Sequence, residues 1–569
     1  MEDGENKGMR QIVNLNGLWS FAPDLDPKYH VAPVYAKPDW DRTNWQKVPV
    51  PGVWNHYAER YSIYEGVCWY HREFSVNLPS KDAACLLKFG AVNYRCEIFI
   101  NDKKAGEHEG GYTEFVLNIS RLINQGLNHI AVKVDNRAVN MKLPPVLGYF
   151  NYGGIHREVT VETYTGEYFS DIFIDARNDG RLLVTGRWIG GKGKQVEVEI
   201  TCKEITKRCQ CDDNSFDISI KVPDVKAWSP DNPNLCPVTV SLVANGELQD
   251  KRVFNVGFRT ISLKNNAFTL NGKKTFLKGI CYLYDSPTYG LVMKKEQFLN
   301  DILLLKELGV NVIRSHFPFT DEFLNECDRQ GIMIWIEMPV YCIHPPTEAR
   351  GTVFSDSAVQ KLALSMLEEM IVQAKNHPSV VIYGIGNECN TENPEAEDFF
   401  RQLAVKAREL DSTRLLSYAA LYCNVGPLAK MVDILGINEY WGWYDVIEQD
   451  KPDKLNLKIL DDKLAELSGK YKKAMLITEF GADSIPGYLS ESLELWSENY
   501  HAELLKKSFE VFKKHPYICG TFPFGFSDYR DPSKHVNRYW DEMNYKGVVS
   551  YKRKKKLAFF TLQKIYRRK

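Results

Sequence analysis

The 569-residue sequence contains no run of 18 or more apolar residues, so no helix that spans a bilayer is expected. Net charge is also missing. The 72 Lys and Arg against 73 Asp and Glu leave a formal charge of -1, which gives no global field to draw the chain to nucleic acid or an anionic membrane. Selectivity for an anion has to be built locally. The opening residues, Met1 to Gly8, carry no apolar segment, so no signal peptide is expected and the chain reads as cytoplasmic. A dinucleotide-binding glycine fingerprint is absent, as are internal repeats and low-complexity tracts. The 13 cysteines are odd in number and scattered, a pattern of reduced buried thiols and not of a disulfide framework. Their one tight cluster, Cys202, Cys209 and Cys211, lacks a fourth ligand at matching spacing, so no metal and no cofactor is expected.

What remains is a large, ordinary globular composition: 44% hydrophobic, 25% charged and 12% aromatic residues. A chain this long exceeds one core, so two to four domains are expected. Most of the 12 Trp and 30 Tyr serve packing, although such rings also suit sugar faces.

Up to about residue 166 the chain alternates with period two between Gly, Pro and Asn breaks, as in Arg95 to Asn101 and His129 to Asp135. This predicts an antiparallel β-sandwich over 1–166. A second strand-rich block, 167–262, contains Gln195 to Ile200 and Val238 to Val243 and has the size of an immunoglobulin-like sandwich. From 263 to 569 the pattern becomes helix and strand in alternation. Phe298, Ile302, Leu305 and Leu308 share a helical face before Gly309, then Val310 to Ile313, Ile332 to Glu337 and Val380 to Ile385 read as strands, with a helix from Ala358 to Lys375. The prediction is a (β/α)8 barrel. The Lys552 to Lys556 run leads into a last barrel helix and reads as its solvated start.

Two glutamates end strand-like stretches of that barrel. Glu388 follows the fourth strand and Glu479 the seventh, counting from Phe276. Carboxylates at the C-terminal ends of barrel strands face one mouth, and a facing pair is the machinery of glycoside hydrolysis. The bland alternative for either one is an inter-loop salt bridge.

Nine stretches in order resemble glycoside hydrolase family 2, and within it the β-glucuronidases. They are Asn16 to Trp19, Glu109 to Thr113, Asn151 to Arg157, Val256 to Arg259, Arg314 to Pro318, Asn376 to Val381, Gly386 to Glu388, Asn438 to Tyr444 and Ile477 to Gly481. The resemblance implies a jelly-roll-like sandwich, an immunoglobulin-like sandwich and a catalytic barrel. It implies Glu388 as general acid/base and Glu479 as nucleophile of a retaining mechanism, Asn387 as donor to the sugar 2-hydroxyl, and Tyr440 as hydrogen-bond partner of the nucleophile. Asn544 and Lys546 match the motif that marks family members acting on uronic acids, the ammonium and amide binding the sugar carboxylate. His316, Tyr444 and Phe524 complete the implied substrate-binding set, with Arg538 or Trp540 where the family often has an arginine.

The departures surround the sugar. Gly148 stands where β-glucuronidases usually carry an aspartate, Phe524 replaces a tryptophan, Leu283 and Tyr284 replace a His-Glu pair, and the stretch from Asp528 to Met543 is longer and different. The segment after Glu337 lacks room for the long active-site loop of some gut bacterial relatives. The expectation is therefore a retaining exo-β-uronidase preferring β-D-galacturonides, with β-D-glucuronides as the alternative and a β-galactosidase or a non-catalytic sugar-binding protein as rivals. Its partner is a β-linked uronic acid glycoside, with no nucleic acid and no membrane. As in the family, a homo-oligomer, dimer or tetramer, is expected.

Overall fold

The computed structural model describes residues 10–24, 34–78, 80, 82–138, 142–191, 195–449, 455–534 and 541–568. The N-terminal part is a sandwich of two antiparallel sheets. One has four strands in the order Arg10–Asn14, Val159–Tyr164, Ala84–Phe89 and Phe115–Asn118; the other has six, with Val67–Val76 and Gly126–Asp135 at its centre. Arg95–Ile100 pairs with Gly126–Asp135, so the two alternating segments singled out in the sequence are neighbours. Trp19, Trp54, Tyr70, Ile98 and Val132 fill the space between the sheets.

The second sandwich packs a three-stranded sheet against a four-stranded one. Its strand Ser215–Lys221 alternates strictly between exposed and buried, the mark of a sheet with one face on a core and one in water. The two segments singled out in this block lie in neighbouring strands, Val196–Cys202 pairing with Cys236–Ala244.

Eight parallel strands then close into a barrel: β1 (Leu277–Cys281), β2 (Val312–Ser315), β3 (Met333–Glu337), β4 (Val380–Asn387), β5 (Leu415–Leu421), β6 (Ile434–Asn438), β7 (Met475–Glu479) and β8 (Ile518–Thr521). Every residue of β4 is buried, because helices cover its outer face and opposing strands fill the inner one. Such strands read as continuous apolar runs. The helix Lys295–Leu308 ends at Gly309, whose φ of +90° supplies the left-handed cap. β2 begins at Val312 and not at Val310, since the Val310 amide is still engaged by the Leu305 carbonyl of that cap.

The three parts are pinned together by motif residues. Arg157 of the first sandwich donates to the backbone carbonyls of Pro318 and Phe319 in the barrel. Arg259 donates to Pro378 and Val380, and Asn376 answers by bonding the amide of Ile174 and the carbonyl of Ile172. No helix is long and apolar enough to cross a membrane among the described residues.

The basic run before the last helix, Leu557–Arg567, is not simply a solvated helix start. Lys552 is exposed, but Arg553 reaches Asp301 at 2.9 Å, and Lys556 is 1% exposed with its ammonium 2.8 Å from Asp528 and on the carbonyls of Ser484 and Tyr545. The helix packs its start onto the barrel loops, so this ammonium is drawn inside to meet a buried carboxylate. Burial pushes Asp528 up to about 7 even with Lys556 beside it. Removing one member of a buried pair costs about 3–5 kcal/mol. Lys556→Met is therefore expected to lower the melting temperature by several degrees, whereas Lys552→Met leaves it unchanged, as thermal unfolding of the two variants would show.

Candidate active site

The C-terminal ends of the barrel strands surround a cavity of about 590 Å³ lined by Gly148, His316, Cys342, Asn387, Glu388, Tyr444, Glu479, Phe524 and Lys534, among others. β4 delivers Asn387, and the next residue, Glu388, turns with a φ of +49°. Its Oε1 accepts from Asn438 Nδ2 at 2.7 Å at the end of β6, and its Oε2 faces the Cys342 thiol at 3.7 Å. Burial, and then the charge of Glu479, push the Glu388 carboxyl above its ordinary range.

Glu479 ends β7 in a different setting. Its Oε1 accepts from Arg314 Nη1 at 2.8 Å and lies 3.4 Å from His316 Nε2. Its Oε2 accepts from the Tyr440 hydroxyl at 2.9 Å. Burial alone would raise this carboxyl, but Arg314, then His316 and Tyr440, hold it below the ordinary range.

Arg314, on β2, is the hub beneath both. Its Nη2 donates to Glu337 Oε2 at 3.0 Å and to Asn387 Oδ1 at 2.8 Å, and its guanidinium lies 5.1 Å from the Trp335 ring centre. Asn387 Oδ1 also accepts from Asn438 Nδ2 at 2.9 Å. With its oxygen so occupied, Asn387 keeps its NH2 as the available donor. His316 spans two carboxylates, with Nδ1 2.9 Å from Glu337 and Nε2 towards Glu479.

Of the residues selected from the sequence, Glu388, Glu479, Asn387, His316, Tyr444 and Phe524 line one cavity, with Tyr440 directly behind Glu479. Asn544 and Lys546 are not on its wall. Lys546 is 1% exposed, its ammonium bound to the carboxylate of Asp483 and 5.0 Å from the Tyr444 ring centre. Asn544 is buried beside it, its oxygen accepting from the Lys546 amide. Arg538 and Trp540 lie outside the described residues. Glu337 and Lys534 were not singled out. Glu337 ends its strand as Glu479 does, and as Glu388 directly follows its own, so the same signal would have found it; Lys534 sits in an unpatterned loop.

Three family models match the chain in order: the family 2 sugar binding domain over residues 12–165, the model described as glycosyl hydrolases family 2 over 167–259, and the family 2 TIM barrel domain over 261–569. The chain belongs to glycosyl hydrolase family 2. It is a glycoside hydrolase. A β-glucuronidase of Paenibacillus borealis is 26% identical over 591 residues, covering 96% of each chain. Among solved structures, a β-D-glucuronidase of Dictyoglomus thermophilum superposes with a TM-score of 0.86 at 25% identity, over 99% of this chain and 98% of that one. A family 2 β-galacturonidase of Eisenbergiella tayi bound to galacturonate gives 0.84 at 26% identity, over 98% and 97%.

Removing the Tyr440 hydroxyl deletes one donor to an ionised carboxylate, an interaction of about 1.5–3 kcal/mol. Tyr440→Phe is expected to raise the Glu479 pKa and to cut kcat by about 10–100-fold. The pH-rate profile of the variant checks both, since its acid limb should move to higher pH.

Proposed function

We propose that this glycosidase is a retaining, exo-acting β-uronidase in which Glu388 is the general acid/base and Glu479 the nucleophile. One observation carries the reading. Two carboxyls on one cavity are shifted in opposite directions, Glu388 pushed up by burial and by its neighbour's charge, Glu479 held down, against its own burial, by Arg314, His316 and Tyr440. Environments that separate the pKa values of a pair assign acid and nucleophile. Glu388 then gives its proton to the leaving oxygen while Glu479 attacks the anomeric carbon, and water later releases the glycosyl-enzyme with Glu388 as base. Asn387 is placed to donate to the 2-hydroxyl, a bond that strengthens as charge develops in the ring.

The uronide assignment is supported by the lysines around Tyr444 and by relatives named β-glucuronidase and β-galacturonidase. Preference for β-D-galacturonides is supported by Gly148. It lines the cavity without an acceptor side chain, and a Cβ there would meet nothing within 4 Å. That space suits a 4-hydroxyl pointing the other way from glucose. A β-glucuronidase is the second reading, favoured by the names of the curated relatives.

Hydrolysis of paired p-nitrophenyl β-D-galacturonide and β-D-glucuronide, with Glu479→Ala as the inert control, tests the assignment. The galacturonide is expected to show the higher kcat/KM. A higher value for the glucuronide selects the second reading, and cleavage of neither ends the uronidase proposal. The pH dependence follows from the shifts: Glu388 must be protonated, so kcat/KM falls as pH rises through its raised pKa, and Glu479 must be ionised, so it falls again as pH drops through its lowered pKa. With an activated aryl leaving group, Glu388→Gln should lose the alkaline limb and keep the acid one.

A further inference from the structure

We propose that Cys342 is a positioning residue for the acid/base: its thiol engages one oxygen of Glu388 while Asn438 engages the other, so that the transferable proton is held on the oxygen facing the sulfur. The inference rests on the reading of Glu388 as acid/base and adds a residue that acts through it.

The backbone at Cys342 has a φ of +53°, a value that glycine adopts freely and other residues adopt at a cost. A side chain is kept here against a local penalty, and such outliers gather where they serve a site. The segment carrying it is fixed on both sides. The Asn387 amide donates to the Val340 carbonyl and the Cys342 amide to the Asn387 carbonyl, each at 3.0 Å, which lays the chain after β3 along the end of β4. The Tyr341 hydroxyl donates to the Leu147 carbonyl at 3.0 Å. Cys342 Sγ is thereby held on the cavity wall 3.7 Å from Glu388 Oε2.

The other oxygen is taken. Glu388 Oε1 accepts from Asn438 Nδ2 at 2.7 Å. The same nitrogen also donates to Asn387 Oδ1 at 2.9 Å, and the Asn438 oxygen accepts from the Thr478 hydroxyl at 2.6 Å, so that amide is fixed with its N–H towards Oε1. These are the hydrogen bonds of the Glu388 side chain among the described residues. An N–H aimed at Oε1 leaves Oε2 as the oxygen that carries the acid's proton.

A thiol suits this place because the carboxyl must change state. In the first step Oε2–H passes to the leaving oxygen as the glycosidic bond breaks and Glu479 bonds the anomeric carbon. In the second, water attacks that carbon, the bond to Glu479 breaks, and the water proton returns to Oε2. By turning about its Cβ–Sγ bond the thiol accepts weakly from the neutral acid and donates to the anion. Because the bond is weak, the leaving oxygen displaces it. The charged groups facing Glu388 are Glu479, Lys534 and His316; those facing the thiol are Glu388, Lys534 and Glu479, with the Cys389 thiol beside them. Burial, and then the charge of Glu388, push the Cys342 thiol well above its ordinary range, so it keeps its proton and does not compete as acid or nucleophile.

The test is kcat/KM on methyl and dinitrophenyl uronides of whichever epimer wild type cleaves faster, since the methyl group needs the acid to leave and the dinitrophenyl group does not. The variants are Cys342→Gly, Cys342→Ala, Cys342→Ser and Glu388→Gln, with melting temperatures to confirm folding. In Cys342→Gly and Cys342→Ala the ratio of the methyl to the dinitrophenyl value is expected to fall about tenfold. Cys342→Ser, which also donates and accepts, should hold that ratio within about threefold of wild type. The inference is overturned if the ratio in both Cys342→Gly and Cys342→Ala stays within about threefold of wild type, as a merely structural role requires, or if Cys342→Ser falls as far as they do. Glu388→Gln separates this from the reading beneath it. If Glu388→Gln lowers the ratio and the Cys342 variants do not, the present inference alone falls; if Glu388→Gln leaves the ratio unchanged, the acid/base reading falls and takes this inference with it.

Discussion

A guanidinium enclosed beneath the barrel mouth governs the charges above it. Arg314 is 1% exposed and touches Glu337, Glu479, Asn387 and the Thr478 carbonyl. Burying an arginine costs several kcal/mol unless its donors are used; here both terminal nitrogens are. The consequence is positional. By fixing the Asn387 oxygen it orients that amide, and by charge it holds the Glu479 carboxyl below its ordinary range against the upward push of burial. Glu388, on the other side of Asn438, receives no such cation at contact, and burial and the charge of Glu479 push its carboxyl above the ordinary range. The opposite shifts of the two carboxyls thus depend on which of them the guanidinium reaches.

The same economy of contacts explains why short motifs far from the barrel belong to this family's pattern. Arg157, Arg259 and Asn376 touch backbone in a neighbouring part of the chain, and Tyr112 stacks on Phe317 at 4.0 Å between ring centres. Backbone acceptors do not vary with sequence, so a junction built on them holds a fixed relation between the sandwiches and the barrel. That relation matters chemically because Gly148, from the first sandwich, forms part of the cavity wall.

Where periodicity carried the information, the sequence was readable. The helix Lys295–Leu308 and its Gly309 cap, the alternating strands of both sandwiches, and the apolar runs of the barrel follow from local rules. The strand after Gly309 was read two residues early because the cap hydrogen bond extends past the glycine, which apolar character does not reveal. The cavity's chemistry was legible where it sits at strand ends. It was illegible where it depends on meetings across the chain: Gly148 and Ser533 are 385 residues apart, Lys546 and Asp483 are 63 apart, and nothing local distinguishes a lysine with a buried partner from one without. Lys556 illustrates the same limit, since a basic run looks alike in water and against a buried aspartate.

The mouth of the barrel also shows where regular structure gives way to chemistry. Glu388 and Cys342 both adopt left-handed backbone, at φ values of +49° and +53°, and each such non-glycine residue costs about 1–2 kcal/mol. They are linked: the Cys342 amide donates to the Asn387 carbonyl at 3.0 Å, while the Glu388 amide donates to Ala419 at 2.8 Å. A strand continued regularly past Asn387 would send the next side chain to the opposite face, toward the helices. The left-handed turn brings Glu388 back to the cavity on the same side as Asn387, so two adjacent residues face one cavity. Strain placed at this point is therefore the means by which a single strand end presents both an amide and a carboxyl to the cavity.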